Sequence, residues 1–521
     1  MPPTDCVYAW NVLPGPLGLQ ARRGFQDWIG ALGGGMEGAA DNKVRTLIPF
    51  AGSVRTKNRL FAATSQGLWD VTSSRSSAPK GSDILLTFPV QSGMAGYGVS
   101  QVVVTGGGHF LLYADEANGL YVYRESTDEW VALVEEEPGA EVPLNHAYLE
   151  GLNPANVVHV AVFKGRVWLT ERDTTKAYYL DTGAVFGPAT EFNVGLQFRA
   201  GGTLVGAWNW TYDGGAGVDD SLVFLSSQGD VAIYQGTDPS TADAFALKGV
   251  WYVGGLVSGR RVATDYGGDV LILSRLGLVP LSRLVVSGTK EDANLYASAK
   301  ISNLFAQLAS TVGDLPGWAV YIHPTDNALI VTVPTVPGLT TEQLVMSFAS
   351  RSWWRWRDLP ILSACVWEGL LFFGTADGRV CRNVGWQDEV PRSGPPTGAE
   401  PVAWSLLTAY QSLSRPTVKQ LQMIRPTVLS GTPNAVVDAS ARYNYELTEP
   451  LAPSGTGGGG MQAWDSAVWD VATWGPDYVP TAPIRGASGM GREVAIALRG
   501  NANTRTALVG IDLYFTEGGG L

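Results

Sequence analysis

Residues 109–130, HFLLYADEANGLYVYRESTDEW, contain the pattern that decides the fold. An apolar stretch leads into Asn118-Gly119, and a second stretch with alternating aromatic residues follows it. Asn-Gly between two such runs is a strong signal for a β-hairpin, because both residues tolerate the positive φ of a tight turn. The segment therefore predicts two antiparallel strands that reverse at Gly119.

The same strand pair recurs along most of the chain, as one apolar residue from each copy shows: Leu60, Leu111, Val167, Val223, Leu271, Leu329 and Leu371. Comparable turn positions are held by five glycines: Gly67, Gly119, Gly229, Gly277 and Gly378. A repeat of about 40–50 residues is typical of the four-stranded blades of a β-propeller, which bury both faces only when stacked. We predict an all-β chain with a β-propeller of about seven blades, with six or eight also compatible. A long β-sandwich is the alternative.

One segment, 290–315, departs from the repeat. Ile301, Leu304, Phe305 and Leu308 follow helical spacing, and Asp292 is a suitable N-cap. The spacing predicts one inserted helix that packs on the flank of the propeller.

Four domain segments follow from these patterns. We expect residues 1–58 to join the propeller and residues 59–388 to form it. The Pro- and Gly-rich stretch 389–401 predicts a linker. Longer alternating strands in 402–521 predict a β-sandwich-like domain.

Composition excludes several classes of protein. Among 521 residues 45% are hydrophobic, so wholesale disorder is excluded. The net charge of −12 argues against a surface that grips nucleic-acid phosphates or anionic lipid. Residues 1–400 carry 28 basic and 39 acidic side chains, against 8 and 9 in residues 401–521. The propeller thus holds nearly all of the acidity.

The chain shows no targeting or membrane signal. Its first residues, MPPTDCVYAWNVLPGP, lack the basic and apolar regions of a signal peptide. No run of 18 apolar residues predicts a transmembrane helix. Cys6, Cys365 and Cys381 lie far from any CxxC spacing, so a disulfide framework is not expected.

Motifs for catalysis and for metal binding are not found in the sequence. The four histidines form no HExxH or HxH pattern, and no P-loop or GxSxG elbow occurs. Residues 375–383, TADGRVCRN, come nearest to a sialidase Asp-box but lack its tryptophan. We expect no enzyme activity, no cofactor and no metal. A carboxylate pair for glycoside hydrolysis stays open, since 48 acidic residues always offer pairs.

Two tryptophan-rich stretches are candidate interfaces. Residues 351–357, RSWWRWR, combine cations and aromatic rings, and their candidates are Arg351, Trp353, Trp354 and Trp356. The alternative is an outer strand in which arginine stacks on tryptophan. The second set is spaced by five: Trp464, Trp469 and Trp474. An odd spacing puts successive side chains on opposite faces of a strand, so a partner would cover some of them; local core packing is the alternative.

Several stretches resemble virion proteins of short-tailed bacteriophages. They are WNVLPGPLGLQARRGFQDW (10–28), VRTLIPFAGSVRTKNRLFAATSQGLWDVT (44–72), IRPTV (424–428), the run from Trp464 to Trp474, VAIALRGN (494–501) and DLYFTEGGGL (512–521). The chain is most similar to the tail hub or nozzle protein family of podoviruses (tail tubular protein B-like). In that family a β-propeller is combined with β-rich additions. No residue with a known chemical role carries over.

The resemblance implies a structural protein of the phage tail, assembled in the host cytoplasm. A homohexameric ring would bind the portal and adaptor above and tail-fibre or tip proteins below. Double-stranded DNA would pass through the ring without specific binding, and no stable membrane insertion is implied. The alternatives are a receptor- or glycan-binding tail propeller and a glycan-degrading propeller enzyme.

Overall fold

The computed structural model describes residues 5–33, 42–74, 79–136, 147–213, 218–241, 243–287, 295–336, 338–390, 398–413, 417–431, 435–451 and 478–518. The chain divides into two compact units. The terminal unit comprises Met1–Asp27, Leu344–Leu359 and Arg382–Leu521. The repeat unit comprises Trp28–Gln343 and Pro360–Cys381. Both units are built from β-strands.

Short antiparallel meanders make up the repeat unit, and we number these meander sheets 1 to 7 in chain order. Sheet 1 contains Thr46–Phe50, Arg59–Ala63, Gly67–Asp70 and Ile84–Thr87. Sheet 2 contains Gly98–Thr105, Gly108–Asp115, Gly119–Arg124 and Glu129–Ala132. Sheet 3 contains Val157–Phe163, Arg166–Glu171, Lys176–Tyr179 and Thr190–Asn193. Sheet 4 contains Leu204–Asp213, Val218–Ser226, Asp230–Gly236 and Phe245–Tyr252.

The remaining meanders are less regular. Sheet 5 contains Ala263–Tyr266, Asp269–Ser274 and Gly277–Pro280. Sheet 6 contains Ala319–His323, Ala328–Val336 and Thr340–Ser347. Sheet 7 contains Ser363–Trp367, Leu370–Gly374, Val380–Arg382 and, from near the start of the chain, Gln26–Ile29. A small parallel sheet contains Val134–Glu136, Tyr148–Glu150 and Gly187–Pro188.

The first strands of the seven meander sheets contact one another in cyclic order. Each contacts the first strand of the next sheet, and Ser363–Trp367 of sheet 7 contacts Thr46–Phe50 of sheet 1. Apolar clusters fill the gaps between neighbouring sheets, for example Phe61 and Tyr113 between sheets 1 and 2. The seven apolar residues chosen from the sequence repeat all lie in second strands. Each copy of the sequence repeat therefore corresponds to one meander sheet.

One α-helix lies in the described part of the predicted insert, 290–315. The described residues of the chain form α1 (Leu281–Ser287) and α2 (Ser302–Val312), with a 3-10 turn at Ala299–Ile301 before α2. Residues 288–294, including Asp292, lie outside the described part. The predicted apolar face is the one that α2 buries, with Phe305 and Ala309 in the core. α1 precedes the insert and follows directly from sheet 5.

The terminal unit has strands of two sheets. The first is nine-stranded and includes the strands of sheet 6: Thr340–Ser347 is followed in order by Trp353–Trp356, Cys6–Trp10, Gly398–Thr408, Val494–Ala502 and Val436–Tyr443. Gln387–Val390 pairs with Gly398–Thr408. In the second, Val12–Gly15, Gly18–Ala21, Thr506–Glu517, Lys419–Ser430 and Val479–Thr481 follow in order, with Arg485–Gly486 against Lys419–Ser430. One apolar cluster, which includes Trp404, Leu421 and Leu498, takes side chains from both sheets.

Two predicted boundaries are wrong. Residues 389–401 are not a linker throughout, because Glu389 pairs with Ala399 and Gln387 pairs with Pro401 in a hairpin. Residues 1–58 do not form one segment that joins the repeat unit, because strands Cys6–Trp10 and Gly18–Ala21 belong to the terminal unit. Composition reveals a polar or proline-rich stretch but not its pairing partner, which is ten residues away for Glu389 and about 400 residues away for Cys6–Trp10.

Candidate functional site

A cavity of about 490 Å³ lies among the first strands of the repeat unit, and all seven meander sheets contribute to its wall. Its polar lining residues among those described are Thr46, Ser100, Gln101, His159, Asn209, Arg260, Arg261, Thr264, Asp265 and Tyr321. Small-molecule sites usually measure about 300–1,000 Å³. We call this space the central cavity.

Two consecutive arginines, Arg260 and Arg261, line the central cavity. Nη1 of Arg260 donates hydrogen bonds to the carbonyl oxygens of Leu204 and Val205, both at 2.9 Å. Nη1 of Arg261 donates to the hydroxyl of Tyr321 at 3.2 Å, and its guanidinium lies 5.7 Å from the Tyr97 ring. These contacts fix both side chains. In the described part of the chain, neither guanidinium forms an ion pair with a carboxylate.

Arg260 also lines a second cavity, of about 470 Å³. Glu116 lies on that side and accepts a hydrogen bond from the backbone N–H of Arg260. Burial raises the pKa of Glu116, while Arg260 and Arg261 oppose the rise. Burial likewise lowers the pKa of Arg260, and Glu116 opposes that change. The two charges therefore offset each other across the wall between the cavities.

His159 is one of the residues that line the central cavity. Its side chain is 4% exposed, and its Nδ1 has no hydrogen-bond partner. Burial, and then the charge of Arg260, lower the pKa of His159 to about 3. The imidazole is therefore neutral near pH 7. Its ring lies 4.6 Å from the ring of Trp208, and a Cβ on Gly206 would come within 2.5 Å of it.

Asp265 lies on strand Ala263–Tyr266, four residues beyond Arg261 in sequence. Its carboxylate is accessible to the cavity, yet the surrounding protein removes enough water to raise its pKa to about 6. Desolvation disfavours the charged form of a carboxyl group. The central cavity is thus lined by two guanidiniums and by one weakly acidic group.

The five glycines predicted at turns all have positive φ: Gly67 at 153°, Gly119 at 82°, Gly229 at 97°, Gly277 at 143° and Gly378 at 86°. At Gly119 space also matters, because a Cβ would lie 2.1 Å from the carbonyl oxygen of Pro154. Residues with a side chain rarely adopt this backbone conformation. The turn glycine thus also allows the next sheet to approach closely.

The arginine- and tryptophan-rich stretch is a strand of the terminal unit. Trp356 is fully buried, so its prediction as an interface residue is corrected: its own unit already covers it. Nε1 of Trp354 donates to the Ser352 hydroxyl at 2.7 Å, and the ring packs against the unit's core. Trp353 is half-buried, whereas Arg351 is exposed.

Arginine stacking does occur here, but on a tryptophan from a distant part of the chain. The guanidinium carbons of Arg355 and Arg357 lie 4.0 and 4.9 Å from the ring centroid of Trp10. Sequence spacing shows the cations and aromatics but not this pairing. Trp464, Trp469 and Trp474 lie outside the described residues.

Sequence reasoning missed a buried ion pair in the terminal unit. The Arg22 side chain is 0% exposed and binds both oxygens of Asp388, at 2.8 and 2.7 Å. Nε of Arg22 donates to Oδ1 of Asn11 at 3.1 Å, and the backbone N–H of Arg357 donates to the same oxygen at 2.8 Å. Asn11 has φ 58° and is itself buried. This network ties the N-terminal strands to the arginine- and tryptophan-rich strand.

The described residues contain no cluster of three or more His, Cys, Asp or Glu side chains suited to a metal ion. No helix among them is long and apolar enough to cross a membrane.

Neither a protein-family model nor a curated protein matches the chain. Among solved structures it is similar to the computationally designed protein Ika8, with 12% identity, a TM-score of 0.34, and coverage of 69% of this chain and 99% of that one. It is also similar to the extracellular domain of a one-component system, BT4673, from B. thetaiotaomicron. There the identity is 10%, the TM-score 0.39, and the match covers 80% of this chain and 55% of that one.

A third similar structure is BBS1N in complex with ARL6DN, with 11% identity and a TM-score of 0.36. It is covered over 99% of its length by 72% of this chain.

Proposed function

We propose that this chain is a structural virion protein, the tail hub or nozzle of a short-tailed bacteriophage. In this role copies of the chain form a ring, expected to be hexameric, below the portal and adaptor. The ring extends the DNA ejection channel and docks tail-fibre or tip proteins. The repeat unit is the seven-bladed β-propeller of this assembly, and the terminal unit is its β-sandwich-like addition.

The observation that carries the proposal is the meeting of the chain's two ends. Strand Gly18–Ala21, from the N-terminal stretch that resembles phage tail proteins, pairs with Thr506–Glu517, from the C-terminal one. Thr506–Glu517 in turn pairs with Lys419–Ser430, which contains the IRPTV motif. Motifs that lie almost 500 residues apart in sequence thus build one sheet. Because these motifs pair in one sheet, they support a resemblance to the fold of phage tail proteins rather than a set of unrelated chance matches.

The size of the central cavity determines where DNA would pass. The major groove of B-DNA alone is about 12 Å wide. A cavity of about 490 Å³ does not admit the duplex. The proposed channel therefore runs between copies of the chain, along the axis of a ring. Acidic side chains on the wall of such a channel would let DNA pass without being retained, because they repel its phosphates over about 8 Å at physiological salt.

The alternatives remain a receptor- or glycan-binding tail protein and a glycan-degrading enzyme. A two-carboxylate mechanism needs carboxyl groups about 5–10 Å apart. Among the described residues that line the central cavity, Asp265 is the one carboxylate. In the second cavity Asp314 is ion-paired with Arg275, which leaves Glu116. These linings do not favour the enzyme.

Electron microscopy of the purified full chain tests the proposal. Images are taken of the chain alone and after mixing with purified portal–adaptor complex from a short-tailed phage. Six-fold rings with an open axis, alone or on the adaptor, are expected. A chain that stays monomeric in both samples and binds a purified envelope glycan would overturn the nozzle proposal in favour of the receptor-binding alternative.

A further inference from the structure

We propose that the arginine-lined part of the central cavity binds a small oxyanion, a carboxylate or a phosphate. The site consists of Arg260, Arg261, His159 and Tyr321, and its ligand class follows from their donor groups. This inference concerns the repeat unit alone and does not depend on the virion role.

The two guanidiniums are held in place but keep N–H groups that make no hydrogen bond. Nη1 of Arg260 donates to two backbone carbonyls, and Nη1 of Arg261 donates to the Tyr321 hydroxyl. Their other N–H groups have no acceptor in the described part of the chain, and none of these nitrogens is sealed from solvent. A guanidinium presents its donors in a planar fork that matches carboxylate and phosphate oxygens. Pre-positioned forks also reduce the entropy lost on binding.

His159 lines the same cavity beside the arginines. Burial and the charge of Arg260 lower the pKa of its imidazole to about 3, so the ring is neutral near pH 7. The hydrogen-bond donors of the site are therefore the two guanidiniums.

Charge and size restrict the ligand. Glu116 balances part of the cationic charge, but it lies on the side of the second cavity. Asp265 lies on strand Ala263–Tyr266, four residues beyond Arg261 in sequence. A small monoanion or dianion therefore meets net positive charge at Arg260 and Arg261. A cavity of about 490 Å³ has a size that is typical of small-ligand sites.

Isothermal titration calorimetry on the full chain tests the site, with sodium phosphate and sodium acetate as probes at constant ionic strength. We expect saturable binding of at least one probe with one site per chain. Arg261→Gln should weaken it about tenfold or more, because it removes a charged hydrogen bond. Arg55→Gln is the matched control, since it makes the same charge change at a side chain that is 85% exposed.

A second variant guards against a folding defect in Arg261→Gln. Gln101 lines the central cavity and is exposed to it, so Gln101→Trp should fill the space and block binding while both arginines stay. Melting curves check that each variant folds. Phosphate binding without acetate binding would assign a phosphate ligand, and the reverse a carboxylate. Absence of saturable binding by wild type, or binding by Arg261→Gln and Gln101→Trp that is as tight as that of wild type, would overturn the proposal.

Discussion

Replacing Asp388 by alanine should destabilise the terminal unit more than any change on its surface. Asp388 is the bidentate partner of Arg22, whose side chain is 0% exposed. Asp388→Ala would leave a buried guanidinium with only the Asn11 side chain and backbone carbonyls as acceptors. Removing one partner of a buried pair usually costs about 3–5 kcal/mol. Since native domains are stable by about 5–15 kcal/mol, this is a large part of the total.

Urea unfolding followed by circular dichroism and by protection of backbone amides measures the effect. With an m-value of about 3 kcal/mol/M, the midpoint should fall by about 1 M or more. Amide protection should be lost in Cys6–Trp10, Gly18–Ala21 and Gly398–Thr408, which belong to the terminal unit. The double change Arg22→Met with Asp388→Leu should recover most of the loss, because an apolar pair leaves no uncompensated charge.

The exposed pair of Arg55 and Glu368 provides the control. Their nearest atoms are 3.3 Å apart, and the Arg55 side chain is 85% exposed. Glu368→Ala should therefore change stability by less than about 1 kcal/mol. If Asp388→Ala costs no more than Glu368→Ala, or if the double variant is as unstable as the single one, the reasoning from burial is refuted.

Three further outcomes are expected. Gly119→Val should strongly lower the melting temperature of the repeat unit, because Gly119 has a φ of 82° and its added side chain would meet the carbonyl of Pro154. Gly93→Val is the control and should not lower it, since no atom lies within 4 Å of a Cβ at that position. Equal melting temperatures of the two variants would contradict the turn assignment. Asp265→Asn should stabilise the protein relative to wild type, and the gain should grow as pH rises from about 4 to 7. The pKa of Asp265 in the folded protein, about 6, lies above the reference value of 3.8, so ionisation of this carboxyl group opposes folding. A difference in melting temperature between variant and wild type that does not change with pH would count against this prediction. Trp469→Ala should reduce ring formation in electron micrographs while leaving monomer melting unchanged, and rings as abundant as in wild type would remove its interface role.

Local patterns predicted much of the repeat unit. Each hairpin needs residues that permit positive φ at a turn, and alternating apolar residues on either side of it. These requirements are visible in a single stretch such as 109–130, where Phe110–Asp115 pairs with Gly119–Arg124. The apolar face of α2 could be identified for the same reason, since spacing along one helix decides which side is buried. Strand pairs and helix faces are properties of short sequences.

The pairing of strands that are distant in the chain could not be predicted from the sequence. Nothing in residues 6–21 indicates that they pair with strands near residues 405 and 508, because hydrogen bonds between backbones are the same whatever the side chains are. For this reason the predicted segment 1–58 was wrong. The predicted linker 389–401 was wrong because a proline- and glycine-rich composition does not show that Glu389 pairs with the nearby Ala399. The members of the Arg22–Asp388 pair are 366 residues apart in sequence, and the pair was missed because of that separation.

The sequence by itself determined the all-β class, the repeating hairpins, the turn glycines and the excess of acidic over basic side chains, because each depends on residues close together in the chain or on composition. Only the tertiary structure decided that the first strands of the meander sheets surround a cavity, and that Arg260, Arg261 and His159 meet in its wall. It also decided that Trp356 is core and that Arg355 stacks on Trp10. Burial and proximity between distant residues arise from packing, since they depend on which surfaces remain uncovered once all the sheets have assembled.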